Sequence, residues 1–142
     1  MVELDHSFTT DRPVGDTWDA ILDLDRVIPL VEGGRVIERT TPESAKAEIR
    51  VKMGAMGLVF TGTLDVTEED PDAHRVVLTV KSREAGGQGY ANADVTFTLD
   101  DGGGTVHTAA QIAGKAASMG EGVVVSVLDA LIKSFTANLA KL

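Results

Sequence analysis

The 142-residue sequence contains no cysteine. Disulfide scaffolds, thiolate zinc sites and thiol catalysis are therefore excluded. Positive charge is also scarce. Thirteen Lys and Arg stand against 22 Asp and Glu, a formal net charge of −9. So acidic a chain repels phosphate, which excludes nucleic acid as a partner and disfavours plain electrostatic docking on an anionic membrane. The simplest role of the charge is solubility. The start, Met1-Val2-Glu3-Leu4-Asp5, has neither the basic region nor the apolar run of a signal peptide. No 18-residue apolar stretch stands out, so no membrane span is expected, and the expected location is the cytoplasm. Internal repeats, low-complexity tracts and linkers are missing too, and the expectation is a single domain over residues 1–142.

Chemical signatures are equally thin. There is no Gly-x-Ser-x-Gly elbow, P-loop or dinucleotide fingerprint. Gly87-Gln88-Gly89 falls in a hairpin and does not open a helix, so it is not a phosphate cradle. His6, His74 and His107 lie on separate strands or turns without zinc spacing. His74 reads as a turn residue and His107 as outward-facing; His6, on the apolar side of its strand, reads as a hydrogen-bonded core histidine or as a residue within reach of a ligand. Tyr90, Asn92 and Asp94 read as a polar ladder facing solvent. Neither a catalytic residue, a metal nor a cofactor is expected.

What is present is alternation, followed by one long helical run. Val2, Leu4, His6 and Phe8 form the inward side of a first strand. Arg12-Pro13 opens a short helix with Val14, Trp18, Ile21 and Leu22 at helical spacing, and a second helical turn runs from Asp25 to Ile28. From Arg35 the period is two. Strands are expected over 35–39 and over Ala45 to Met53, then from Leu58 to Val66, around Val76 to Val80, over Ala91 to Leu99, and from Val106 to Ile112. The expected turns are Gly33-Gly34, Thr41 to Ser44, Gly54 to Gly57, the acidic Glu68 to Asp72, Gly86-Gly87 and Asp100 to Gly104. Adjacent strands with short connections predict an antiparallel meander of seven strands. Ser118-Met119-Gly120-Glu121 has the form of a capping box. After it, Val123, Val124, Val127, Leu128, Leu131, Ile132, Phe135 and Leu139 recur at steps of three and four, with Ser126, Asp129, Lys133 and Thr136 opposite. This helix is expected to reach Lys141, roughly 34 Å at ~1.5 Å per residue.

The fold class is therefore α+β: a curved seven-stranded antiparallel sheet wrapped around a long C-terminal helix, with two short helices between strands 1 and 2. A strongly bent sheet stands off from a straight helix at its middle. Gly62, Ala91, Ala93 and Ala110 occupy inward positions where a solid core would want larger residues. Voids cost about 24 cal/mol per Å³, so a retained one points to an apolar ligand. The candidate ligand-binding residues on the sheet are Met53, Met56, Leu58, Phe60, Gly62, Leu78, Ala91, Ala93, Val95 and Ala110. Trp18 joins them from the first helix and Met119 from the approach to the last one. Val124, Val127, Leu128 and Leu131 complete the set on the long helix. Met53, Met56 and Met119 suit an irregular ligand because methionine is flexible and polarizable.

Four stretches carry a family resemblance. They are Arg12-Pro13-Val14-Gly15-Asp16-Thr17-Trp18-Asp19-Ala20-Ile21-Leu22-Asp23; the strand–glycine–strand segment Ile49 to Gly62; Gly87-Gln88-Gly89-Tyr90-Ala91-Asn92-Ala93 followed by Gly103-Gly104-Thr105; and Ala113-Gly114-Lys115-Ala116-Ala117-Ser118-Met119-Gly120. In this order they make the chain resemble the carbon monoxide dehydrogenase G-subunit family, within the helix-grip (START-like, SRPBCC) superfamily. The chain departs from the family pattern after the second short helix, where Leu30 follows Pro29 in place of the usual glycine. The resemblance implies an apolar tunnel under the grip. It also implies association with a carbon monoxide dehydrogenase or related molybdenum hydroxylase, through maturation, membrane recruitment or handling of a quinone. Many members carry a C-terminal extension for membrane attachment; the sequence here runs to Leu142, which leaves attachment of that kind open, and peripheral contact at the inner face of the cell membrane is the expectation. The function expected overall is a non-catalytic carrier for a quinone or lipid. The alternatives are a small cyclase or dehydratase with a pocket acid–base pair, and an assembly module without a ligand.

Overall fold

The computed structural model describes residues 1–142. Strand β1 (Val2–Thr9) leads to helix α1 (Val14–Leu22), helix α2 (Leu24–Val27) and a 3₁₀ turn at Ile28–Leu30. The meander follows: β2 (Gly34–Thr41), β3 (Ser44–Met53), β4 (Met56–Asp70), β5 (Arg75–Glu84), β6 (Gly89–Asp100) and β7 (Gly103–Gly114). A second 3₁₀ turn, Ala117–Met119, precedes helix α3 (Glu121–Ala140). The seven strands form one antiparallel sheet in the order β1-β7-β6-β5-β4-β3-β2. It is the expected architecture, with the first strand returning to pair with the last.

Several local expectations are corrected. Glu68 to Asp70 belong to the end of β4, and Gly103 and Gly104 to the start of β7, so the turns there are tighter than the glycine and acidic clusters implied. The β3–β4 hairpin turns on Gly54-Ala55 alone, because Met53 pairs with Met56. Pro13 is the residue before α1, one place earlier than expected. The capping box does not form. Ser118 Oγ donates to the Lys115 carbonyl at 2.6 Å, and Gly120, at φ 98°, breaks the chain between Ser118 and Glu121. Helix α3 therefore starts at Glu121, and its 20 residues span ~30 Å. Thr136, assigned to the outer face, is buried and returns its hydroxyl to the Lys133 carbonyl at 3.0 Å. By length and composition α3 is also long and apolar enough to cross a membrane, contrary to the expectation of no such segment.

Curvature comes from register breaks and one glycine. Bulges interrupt β2–β3 pairing at Val36/Glu38 and at Arg39/Thr41, and β4–β5 pairing at Val66/Glu68; each bends its strand. At Gly62 a β-carbon would overlap the Lys81 carbonyl oxygen and crowd Ser82 Cα. Glycine stands there because the backbone of β5 presses against it.

The helix–sheet core is divided in two. The larger cluster joins α1, α2 and the C-terminal end of α3, with Ile21, Leu24, Val76, Phe97, Val106, Phe135 and Leu139 at its centre. Phe97 and Phe135 meet at 5.8 Å between ring centroids, within the range of favourable aromatic pairs. The smaller cluster gathers Met53, Leu58, Phe60, Ala116 and Val124 at the N-terminal end of α3. Both ends of the long helix are thus packed.

Candidate functional site

Between the two clusters lies a cavity of about 250 Å³, partly open to solvent. Its roof is the middle of α3: Leu128, Leu131 and Ile132, none of them fully buried. Its floor is the concave face of β4 to β7, with Phe60 and Leu64, Leu78 and Val80, Ala93 and Val95, and Val106. Ala47 and Ile49 of β3 and Val27, Ile28 and Val31 close the near side. The straight helix rests on a packed cluster at each end and spans the trough of the bent sheet between them. Seventeen of the 23 lining residues are hydrophobic, so the interior disfavours a charged guest.

The structure brings Phe60, Gly62, Leu78, Ala93, Val95, Leu128 and Leu131 of the candidate set into this lining. The others lie elsewhere. Met53, Leu58 and Val124 are buried in the smaller cluster, and Met56, Ala91, Met119 and Val127 pack against it. The methionines therefore form a plug at the N-terminal end of α3 and do not line the cavity. Ala110 is buried but is not part of the wall. Trp18 packs on the larger cluster and sets its edge against His74, 5.8 Å between centroids at 78°. Leu58 and Val127 border a second, more polar depression between β3–β4 and α3, with Arg50 and Lys52 beside it, and Leu131 belongs to both hollows.

The polar residues of the wall were absent from the candidate set. Glu48 is held by Arg35 at 3.1 Å and by Arg50 at 3.2 Å. Those hydrogen bonds keep its carboxyl below the ordinary carboxylate range. Ser82 donates to the Ala91 carbonyl at 2.6 Å. Thr108, only 3% exposed, has no hydrogen-bond partner for its hydroxyl. The signal for Thr108 was in the sequence: a hydroxyl that breaks an otherwise apolar inward face, Val106, Ala110 and Ile112.

The histidines are placed as read. His107 is exposed beside Asp5 at 2.7 Å and Glu3 at 3.5 Å. The hydrogen bond to Asp5 raises its pKa above the ordinary histidine value, partial desolvation opposes this, and the charges of Asp5 and Glu3 add to it. The His6 side chain is 9% exposed, with Nε2 at 2.7 Å from Asp129 Oδ1. Asp129, expected on the outer face of α3, thus ties the helix to β1. Lys133 at 2.9 Å, then the His6 hydrogen bond, hold its carboxyl below the usual range. No group of three His, Asp or Glu side chains is gathered to hold a metal ion.

A seven-stranded sheet gripping one long helix over an apolar hollow defines the START-like, or SRPBCC, helix-grip class. Within that class the chain belongs to the CoxG family, the G-subunits of carbon monoxide dehydrogenase, whose sequence model matches residues 7–142. Among curated proteins none matches. Among solved structures, a conserved protein from Geobacillus kaustophilus is similar with a TM-score of 0.82 and 20% identity, over 99% of this chain and 93% of the other. The Zhui aromatase/cyclase from Streptomyces sp. R1128 is similar with a TM-score of 0.61 and 13% identity, over 99% and 92%. A protein from Thermus thermophilus gives 0.63 and 9% identity, over 97% of each chain. At these identities the likeness concerns the fold.

Proposed function

We propose that this chain is a non-catalytic carrier for a hydrophobic small molecule, a quinone or a lipid, and that it serves as an accessory to a carbon monoxide dehydrogenase-type molybdenum hydroxylase. The observation that carries the reading is the cavity of about 250 Å³ left between two packed cores. An apolar cavity of ~150 Å³ takes up benzene, so this one has room for a two-ring head or a branched piece of a chain. A longer tail would extend out of the cavity, which is not closed off from solvent. The link to the oxidoreductase rests on membership of the CoxG family, because the fold alone hosts many functions. The proposed place of work is the cytoplasm, at the inner face of the cell membrane.

Solvent extraction of freshly purified protein, followed by mass spectrometry, tests the proposal. Recovery of an apolar molecule, or binding of added naphthoquinone, supports it. Recovery of nothing apolar together with no naphthoquinone binding overturns it in favour of a pure assembly module. A second reading, a small cyclase or dehydratase, is favoured by the fold shared with the Zhui aromatase/cyclase. It requires two convergent polar groups acting as acid and base in the cavity. Turnover of a linear polyketide mimic, abolished by single polar substitutions in the wall, would establish it over the carrier.

A further inference from the structure

The depression beside the cavity has a mixed wall: Arg50 and Lys52 of β3 and Ser126 of α3, together with apolar Val51, Leu58 and Val127. The two hollows adjoin along three elements. Ile49 lines the cavity and Arg50 the depression, Phe60 the cavity and Val59 the depression, Leu128 the cavity and Val127 the depression, while Leu131 lines both. The sheet leaves this place uncovered. Strand β2 begins at Gly34, and past the bond from the Arg50 N–H to the Gly33 carbonyl, at 3.0 Å, β3 has no strand on that side. Both cations are exposed, so a molecule from solution can reach them. Arg50 gives its Nε to Glu48 at 3.2 Å, a carboxylate it shares with Arg35, and its two terminal nitrogens have no protein partner. Lys52 takes part in no ion pair. Glu32 is the one carboxylate of this wall, against two cations, in a chain whose net charge is −9.

We propose that the cavity and the depression are one site for a two-part ligand, with a hydrocarbon tail in the cavity and an anionic head, a carboxylate or a phosphate, on Arg50 and Lys52. This rests on the carrier reading and names the chemistry of its ligand. The division follows from the two walls. The cavity takes the tail and refuses the charge, because its lining offers an ion almost nothing in place of water. The depression offers what the head needs. A guanidinium and an ammonium bear donors and no acceptor, so the group they recognise is an acceptor, and a charged oxygen is bound more strongly than a neutral one. The guanidinium fork fits two oxygens of one carboxylate or phosphate. The Ser126 hydroxyl can donate to the same group. Glu32 opposes an anion, but two cations stand against it. A neutral alcohol of the same length fills the cavity equally well and gains little from the cations.

The test titrates the full chain by calorimetry with decanoate and decyl phosphate, the two heads, and with decan-1-ol, the same tail under a neutral head. The quantity read is the affinity for each anion relative to the alcohol. Lys52→Gln should lower that ratio about two- to fivefold, the worth of one exposed charge pair. Arg50→Gln combined with Lys52→Gln should lower it roughly tenfold or more, with the fold intact because Glu48 keeps Arg35. Lys52→Arg, which keeps the charge, and Lys141→Gln, at the far end of α3, should leave it unchanged. Added salt should weaken the anions on the wild type and have no effect on the double variant. Ala93→Leu, which fills the cavity, should weaken all three probes, and inorganic phosphate, a head without a tail, should not displace decanoate. The two-part site is overturned if neither anion binds, if the double variant keeps the ratio, if anion binding survives Ala93→Leu, or if inorganic phosphate displaces decanoate; binding of naphthoquinone would then leave the carrier reading standing. If the three probes and naphthoquinone all fail to bind and the extraction yields nothing apolar, both fall.

Discussion

Filling the cavity from its floor separates a functional void from a merely loose core. At ~24 cal/mol per Å³, an unfilled 250 Å³ withholds about 6 kcal/mol from the folded state. That is a large share of the roughly 5–15 kcal/mol by which domains are stable. Ala93 stands on the floor, paired with Val80 on one side and Ala110 on the other, and its side chain opens into the hollow. Ala93→Leu adds three carbons. At ~0.8 kcal/mol per buried carbon, less the rotamer freedom lost, the apo protein should gain about 1.5 kcal/mol, near 5 °C in melting temperature. Urea unfolding gives the first figure and calorimetry the second. The same variant should lose most of its affinity for a two-ring probe such as naphthoquinone. Ala109→Leu, on the outer face of β7, is the control and should change neither. A destabilised Ala93→Leu, by the roughly 1–3 kcal/mol typical of overpacking, would mean that the space is already filled and would refute the cavity argument.

Three further outcomes follow from the same geometry. Gly62→Ala should destabilise the protein by about 2 kcal/mol or more, because its β-carbon meets the backbone of β5 and not the cavity; thermal unfolding reads the loss, and a neutral substitution would return Gly62 to the role of ligand space. Leu131→Ala, over the hollow, should cost under about 1.5 kcal/mol by urea unfolding, whereas Leu139→Ala, in the packed cluster, should cost about 2–5 kcal/mol; equal costs would show the middle of α3 to be packed like its end. His107 gains its partners on folding, so its folded pKa lies above the unfolded value near 6.5, and the stability it contributes is complete below about pH 6.5 and is lost as pH rises through the folded pKa. His107→Gln should therefore flatten that part of the stability–pH curve, by no more than the few tenths of a kcal/mol of an exposed pair, read from urea midpoints between about pH 5.5 and 8.5.

The fold was legible because strands and the long helix bury one face each, and burial writes its period into the residues. Alternation in Ala45 to Met53 and steps of three and four from Val123 to Leu139 each admit one structure. The wall of the cavity was legible only by halves. Period tells which way a side chain points, but not what stands opposite. Ala91 and Ala93 share a face two residues apart; one packs on the smaller cluster and the other opens into the hollow, because the helix passes close over one end of the sheet and high over its middle. Gly62, read as space, lines the hollow and also marks a contact between backbones, which the sequence does not reveal. The capping box failed for a similar reason: the four residue types were right, and Gly120 at positive φ kept them from closing the motif. Thr108 and His6 were visible as polar residues on inward faces, yet that Thr108 Oγ1 and His6 Nδ1 lack partners is a property of the assembled sheet.

The hollow persists because α3 is held where it cannot descend. Val124 is locked in one cluster, and Phe135 and Leu139 in the other. Between these anchors the His6–Asp129 pair ties the helix to β1, and near its end Asn138 Nδ2 donates to the Leu30 carbonyl at 2.9 Å. Every tie lies at an end or on the β1 side; no side-chain hydrogen bond or ion pair reaches from the middle of the helix to β3 or β4. A segment of about three turns supported at both ends does not sag, since bending it would stretch i→i−4 hydrogen bonds across the whole ladder. The sheet cannot rise to meet it either, because its bulges and the Gly62 contact fix the bend. Collapse of the void would require breaking a packed cluster worth several kcal/mol to recover a similar amount. The easier way to fill it is from solution, with a molecule apolar enough to leave water.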